Sequence, residues 1–382
     1  MKRIPFNKAP VPDTAADYIS DVLRSRRTSG NGKYTKLCQK WLCDRFGAEH
    51  ALLTTSGSHA LDMAARLCNI KSGDEVIMPS FTFSSTANAF AAVGAKIVFV
   101  DIRPDTMNID EELIEAAISN RTRVIAPVHY AGAACEMDMI RGIAVHNDLL
   151  VVEDAAQAVM STYKGKALGT LGRLGCYSFH STKNYSMGEG GALLLADTQT
   201  ARRAEIMWET GTNRSCFMRG EIDKYSWVDW GSSYLPSELN AAYLWSQLEI
   251  ADDINDDRLK TWRRYYELLT PLAEAELLIL PYVLPECGHN AHIFHIRTRS
   301  AAEQEALLAH LKSHEVGAVF HYVPLHSSLA GKKFGEFRGE DRYTTSEAAK
   351  LIRLPIYYGM AEEDTERVAD LIYAYFRKGI VR

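Results

Sequence analysis

Between residues 51 and 197 the chain alternates short apolar runs with longer mixed segments. The runs at 51–55, 75–78, 96–100, 124–128, 149–152 and 191–195 are nearly continuous in apolar residues, several of them rich in Val and Ile. Strands buried on both faces of a mostly parallel sheet carry this signature, because helices cover both sides. The stretches 58–68 and 110–119 between them read as helices. Asn108-Ile-Asp-Glu-Glu112 places acidic side chains where a helix N-terminus favours them. Residues 235–270 read as one long helix or two, opened by Pro236-Ser-Glu-Leu239. After about 275 the pattern changes to a strand at 292–298, a helix at 301–314, a strand at 318–322 and a closing helix at 362–377. Strand-helix alternation of this kind predicts an α/β layer fold. It divides into a large domain over 1–250, with a mostly parallel central sheet, and a smaller α+β domain over 251–382.

Composition narrows the function classes. The 382 residues are 47% hydrophobic and 24% charged, ordinary for a globular chain with a large core. A net charge of -5 argues against a general nucleic-acid binder. No apolar run is long enough for a membrane-spanning helix, and Met1-Lys-Arg-Ile-Pro-Phe-Asn-Lys8 lacks the apolar core of a signal peptide. The seven cysteines are scattered, without a Cys-x-x-Cys pair. They read as reduced thiols of a cytoplasmic protein, neither a disulfide frame nor a metal site.

Three segments carry candidate chemistry. Val151-Val-Glu-Asp-Ala-Ala-Gln157 is an apolar strand ending in Asp154; Cys176-Tyr-Ser-Phe-His-Ser-Thr-Lys-Asn184 holds Lys183; Thr54-Thr-Ser-Gly-Ser-His-Ala-Leu61 is a strand-to-helix turn. In open α/β sheets ligands lie beyond the carboxyl ends of the strands, where all three would present their polar residues. Pyridoxal 5'-phosphate (PLP) needs an amine for its aldehyde, a carboxylate for its ring nitrogen, donors for its phosphate and a flat side chain over its ring. Lys183, Asp154, the Ser56-Gly57-Ser58 turn with Ser178, and Phe83 match these needs in turn. Taken singly, each piece has a plainer reading. A strand-end Asp caps turns, a loop Lys is solvated, Thr-Ser-Gly-Ser is an ordinary helix cap, and Phe81 and Phe83 suit a core. His129 and His180 read as core or ring-stacking residues as readily as catalysts. Gly188-Glu-Gly-Gly191 precedes a strand and lacks the Walker Lys, and no Gly-x-Gly-x-x-Gly fingerprint is present.

The ordered set Thr-Ser-Gly-Ser58, Met78-Pro-Ser-Phe-Thr-Phe83, Pro127-Val-His-Tyr-Ala-Gly132, Val152-Glu-Asp-Ala-Ala-Gln157 and Ser178-Phe-His-Ser-Thr-Lys-Asn184 resembles the DegT/DnrJ/StrS sugar aminotransferases. The resemblance runs from Ile4-Pro-Phe-Asn7 to Leu354-Pro-Ile-Tyr357. It implies the fold-type I, aspartate aminotransferase-like architecture and PLP as cofactor, passing through its amine form (PMP). It implies Lys183 as the Schiff-base lysine, Asp154 as the pyridinium partner and Gln157 beside the cofactor's phenolic oxygen. Phe83 is implied as the stacking ring, and Gly57, Ser58 and Ser178 as phosphate contacts. Many members have Asn-Tyr-Arg before the long helix, with the Asn reaching the neighbouring subunit's cofactor; here Ser233-Tyr-Leu235 stands in that place.

Within the family, Gly211-Thr-Asn-Arg-Ser215, Asp223-Lys-Tyr-Ser-Trp227, Val319-Phe-His-Tyr-Val-Pro-Leu-His326 and Gly339-Glu-Asp-Arg-Tyr343 are most similar to members that make dTDP-4-amino-4,6-dideoxygalactose. That likeness implies a dTDP-ketosugar and L-glutamate as substrates, and a homodimer with shared active sites. Basic groups should meet the diphosphate; Arg214, Arg219 and Lys224 with Tyr225 are the candidates, the alternative being a solvated loop. His321, Tyr322 and His326 either face the sugar or cap the small domain. The rival readings are an equatorial amine product, another nucleotide ketosugar, and a PLP-bound regulatory protein. Sugar dehydratases of this fold carry histidine in place of the lysine, and Lys183 argues against them.

Overall fold

A computed structural model describes residues 2–380, with side chains as far as Arg377. The first half holds the strands His50–Thr54 (β1), Glu75–Pro79 (β2), Lys96–Val100 (β3), Thr122–Ile125 (β4), Leu150–Asp154 (β5), Leu174–Ser178 (β6) and Gly191–Leu195 (β7). Further on come Phe294–Arg297 (β8), Gly335–Phe337 (β9) and Leu351–Leu354 (β10). Eight strands form one sheet in the order β1-β7-β6-β5-β4-β2-β3-β9. Every neighbour pair from β6 to β9 is parallel, and β7 pairs antiparallel with both β1 and β6.

Side chains alternate across this sheet, as a strand's period of two requires. Leu53, Ile77, Val98, Ile125, Val151 and Leu194 bury against the helices Ala15–Ser25 (α1), Lys33–Phe46 (α2) and Met137–His146, and against Glu238–Leu248. Their neighbours Leu52, Val76, Ile97, Val124, Val152 and Leu193 bury against Gly57–Leu67 (α3), Ser84–Ala92 (α4) and Thr198–Trp208. In chain order the remaining helices used below are Met137–His146 (α5), Thr198–Trp208 (α6), Arg214–Met218 (α7), Glu238–Leu248 (α8), Ala251–Glu274 (α9), Ala301–Ser313 (α10) and Glu362–Ile380 (α11). A separate core gathers Ile4 with α9, α10, α11 and the antiparallel pair β8–β10.

The chain after α10 also returns to the large sheet. Glu75 in β2 is buried and accepts Arg338 at 3.1 Å and Arg121 at 2.6 Å. Burial opposes its charge, but Arg338, Ser119 and Arg121 outweigh it and hold the carboxyl near 2. Asp101 accepts the backbone N–H groups of Arg342, Tyr343 and Thr344 at 2.8–2.9 Å. These carboxylates fix β9 beside β3.

Three sequence expectations need correction. Residues 110–119 form two single 3-10 turns, Glu111–Leu113 and Glu115–Ala117, instead of a helix. Ile114 and Ala117 are the buried pair, and their spacing of three suits a 3-10 turn. Residues 318–322 make one isolated bridge, Val319 to Arg353, because β10 already pairs with β8. The strand β6 was not anticipated. Gly175 sits within it, where a Cβ would lie 1.9 Å from the Gly169 carbonyl oxygen. The segment 235–270 resolves into α8 and α9, interrupted at Ile250.

Candidate active site

Strand ends and helix starts on one side of the large sheet open onto a cavity of about 680 Å³. Gly57, Ser58, Phe83, Asp154, Gln157, Ser178, Lys183, His321 and Tyr322 all line it. Nine residues singled out in the sequence therefore converge on one place, although they span 266 positions of the chain (57 to 322).

Each is held by local structure. Asp154 ends β5; Thr86 Oγ1 donates to its Oδ2 at 2.6 Å and the Ala156 N–H to its Oδ1 at 3.1 Å. Ser56 caps α3 by accepting the His59 N–H at 3.1 Å. The N–H groups of Gly57 and Ser58 in the first turn of α3 have no intrahelical acceptor, which makes them anion donors. Ser178 closes in opposite, so that a Cβ on Gly57 would stand 2.7 Å from the Ser178 Cβ. Phe83 precedes α4 and is 58% exposed, a poor core residue but an available ring face. Gln157 accepts the Ala131 N–H at 2.7 Å and donates to the Tyr322 hydroxyl at 3.0 Å. Tyr130 shares a 3.1 Å contact with His321 Nδ1.

Lys183 follows β6 in a loop pinned by its own N–H to the His180 carbonyl at 2.8 Å. Burial pushes its amine from an ordinary 10.5 down to about 8; Asp154 opposes the shift and Arg353 adds to it. A neutral amine is the nucleophile toward a carbonyl. The rate at which the cofactor-free protein captures added PLP is therefore expected to rise with pH through about 8 and level off above it. Stopped-flow absorbance across pH measures this; a midpoint near 10.5 would mark Lys183 as a solvated lysine.

The sequence reading missed several lining residues. His292 shares a 2.8 Å contact between its Nδ1 and Asn184 Oδ1, and burial together with nearby Lys183 keeps its ring neutral. Arg353, Phe6 and Asn7 also line the cavity and were unmarked, as was Thr86, which lies behind the lining and holds Asp154. The remaining candidates lie elsewhere. Arg219 is paired with Glu205 and Glu221 at 3.0 and 2.7 Å. Arg214, Lys224, Tyr225 and Ser233 are exposed and do not line the cavity of the single chain. His326 contacts Ser80 at 2.7 Å and Asp341 at 3.1 Å, which settles it as a residue of the β9 region.

The donors present fit PLP: a depressed amine, an oriented carboxylate, a helix N-terminus faced by a serine, and an exposed ring, all on one cavity. Comparison with known proteins points the same way. A profile of the DegT/DnrJ/EryC1/StrS aminotransferase family matches residues 12–373. The spore coat polysaccharide biosynthesis protein SpsC of Bacillus subtilis is 30% identical over 97% of both chains. The crystal structure of a DegT DnrJ EryC1 StrS aminotransferase from Brucella abortus superposes with a TM-score of 0.87, at 28% identity and 95% coverage of each chain. The PLP form of the putative sugar aminotransferase Spr1654 from Streptococcus pneumoniae superposes at 0.86, with 23% identity and 97% coverage of each.

Proposed function

The chain belongs to the DegT/DnrJ/EryC1/StrS aminotransferase family, and from that premise we propose that it moves the amino group of L-glutamate to C4 of dTDP-4-dehydro-6-deoxy-D-glucose. The products are 2-oxoglutarate and dTDP-4-amino-4,6-dideoxy-D-galactose. The observation that carries the reading is the convergence of Lys183, Asp154 and the first turn of α3 on one cavity. The choice of sugar is supported by the long matching stretches around Gly211, Asp223, Val319 and Gly339.

When bound, PLP supplies the aldehyde that carries nitrogen and the ring that takes up an electron pair. Asp154, oriented by Thr86 and Ala156, holds the proton of the ring nitrogen. The Lys183 amine would hold the cofactor aldehyde at rest and, once released, would be the base placed to take the proton from the donor α-carbon. Overall one amino acid and one ketosugar give one 2-oxo acid and one aminosugar; amino group and carbonyl oxygen change places through water, and no outside oxidant or reductant is needed. In the return half Lys183 carries a proton the other way, to sugar C4. The phosphate belongs on the Gly57 and Ser58 N–H groups with Ser178, and Phe83 covers the ring.

A homodimer with shared sites is part of the same proposal. Phe217, Met218, Trp227 and Trp230 are exposed together on the segment that holds Arg214, Lys224 and Ser233. An apolar strip of this kind suits a two-fold partner, whose 212–235 segment then reaches the cavity. Neither Arg214 nor Lys224 has an ion-pair partner among the described residues. Mixing inactive Lys183→Ala subunits with inactive Arg214→Ala/Lys224→Ala subunits is expected to restore activity upon exchange. Heterodimers that form yet stay inactive would rule the shared site out.

Mass and NMR analysis of the product from dTDP-4-dehydro-6-deoxy-D-glucose and glutamate tests the reaction. An axial C4 amine is expected. An equatorial amine makes the enzyme a gluco-type transaminase, and a bound cofactor without turnover on any nucleotide ketosugar favours a regulatory role.

A further inference from the structure

Beside Lys183 a short hydrogen-bonded chain fixes the tautomer of a buried histidine. Asn184 donates through Nδ2 to the Asn290 backbone carbonyl at 2.9 Å. A carbonyl only accepts, so the Asn184 Oδ1 is the atom that faces His292, 2.8 Å from its Nδ1. An amide oxygen only accepts as well, so His292 carries its proton on Nδ1 and leaves a lone pair on Nε2. Burial, with Lys183 close by, keeps the ring from taking a second proton. His292 is 8% exposed and lines the cavity, and its Nε2 has no hydrogen-bond partner among the described residues. The backbone beneath the ring is fixed. The His292 N–H donates to Asn290 Oδ1 at 3.0 Å, its carbonyl accepts from Arg258 at 2.9 Å, and Asn290 Nδ2 donates to the Gln157 and Val159 carbonyls at 2.8 Å.

We propose that His292 is a specificity residue for the sugar, its Nε2 accepting a hydrogen bond from the C3 hydroxyl of the ketosugar. This deepens the transaminase reading and rests on it. The other polar groups of the cavity are donors or are already engaged. Lys183 and Arg353 donate, as do the first turn of α3 and Ser178. Asp154 serves the cofactor ring, Gln157 Oε1 accepts the Ala131 N–H at 2.7 Å, and Glu189 is exposed beside His180. His321 also lines the cavity, but its neighbour, the Tyr130 hydroxyl, either donates or accepts, so no free acceptor is fixed there. Glutamate brings carboxylates, which are acceptors, and an amine that bonds to the cofactor. The sugar brings hydroxyl donors. Its C4 must come to Lys183, and of the two ring carbons next to C4 only C3 carries a hydroxyl, since C5 bears the ring oxygen and the methyl group. The C3 hydroxyl therefore arrives beside Lys183, where His292 stands. A buried acceptor left facing a C–H is costly, so a sugar without that hydroxyl is rejected.

The two half-reactions are separable, because glutamate and the aminated sugar nucleotide each bleach the yellow absorbance band of the bound cofactor. His292→Asn is the informative variant. Its amide nitrogen stands near the place of Nδ1 and keeps a donor for Asn184, while nothing reaches the place of Nε2. The concentration of aminated sugar nucleotide needed to bleach the band is expected to rise about tenfold or more, and that of glutamate less than about threefold. With the 3-deoxy aminated sugar nucleotide the unaltered enzyme should already show the tenfold loss, and His292→Asn should add less than about threefold to it. Equal loss toward glutamate and sugar makes His292 a brace for the Lys183 loop and overturns the assignment. So do losses from the variant and from the missing hydroxyl that multiply. A protein without the yellow band, or one whose band no aminated sugar nucleotide bleaches, contradicts the transaminase reading instead. Should His292→Asn fail to fold, the unaltered enzyme decides: a loss of about tenfold or more with the 3-deoxy compound upholds the assignment, and use within about threefold of the parent overturns it.

Discussion

Replacing Lys183 with alanine or arginine is expected to lower turnover by on the order of 10³-fold or more while the protein stays folded. The amine does two jobs in one place: it bonds the cofactor aldehyde and it moves the proton between donor and cofactor. Alanine removes both. Arginine keeps the charge, but its guanidinium stays protonated and is a poor nucleophile. Folding should survive, because the Lys183 loop is held by its backbone N–H and by Asn184, which donates to the Asn290 carbonyl at 2.9 Å. The cofactor should still bind, since α3, Ser178 and Asp154 belong to other segments. Aminated product added to the variant should stay bound, since no lysine remains to displace it from the cofactor. Steady-state assays and circular dichroism measure the two halves of the expectation; turnover within about tenfold of the unaltered enzyme would exclude the assignment.

Asp154→Asn is expected to cost more than about tenfold in kcat, roughly 1.4 kcal/mol of barrier, with fold and colour retained. An amide matches the shape of the carboxylate but carries no charge to keep a proton on the ring nitrogen. The Thr86 hydroxyl adapts to the new group by rotating, and Thr82 Oγ1 stands 2.9 Å away as its alternative partner. The local structure therefore has no reason to collapse, and the loss should appear in kcat more than in cofactor content. Retention of more than a tenth of kcat means that Asp154 does not serve the ring.

Much of this site was legible because its residues stand where strands end. Asp154 closes an apolar run, and Ser56-Gly57-Ser58 follows another, so the sheet itself brings them together. Lys183 was legible from its surrounding motif, not from its own chemistry, since one lysine in a polar loop says nothing of burial. Arg353 was hidden for a different reason. It is a single charge in the apolar run Leu351-Ile-Arg-Leu-Pro-Ile356, and its surroundings come from Phe6, His295 and Phe320, which only the folded chain assembles. The basic residues 214, 219 and 224 could not be placed from spacing, because whether an arginine is spent on a local carboxylate is a three-dimensional fact; Arg219 is so spent. The 3-10 turns at 111–117 were misread since acidic starts and apolar spacing serve both helix types.

The account stands on one covalent bond. Borohydride reduction of the native yellow protein, followed by peptide mass mapping, fixes the cofactor to whichever amine holds it. The reduced cofactor is expected on the peptide that contains Lys183. Its appearance on Lys164, Lys166 or another lysine contradicts the site, and its appearance on no peptide contradicts the chemistry.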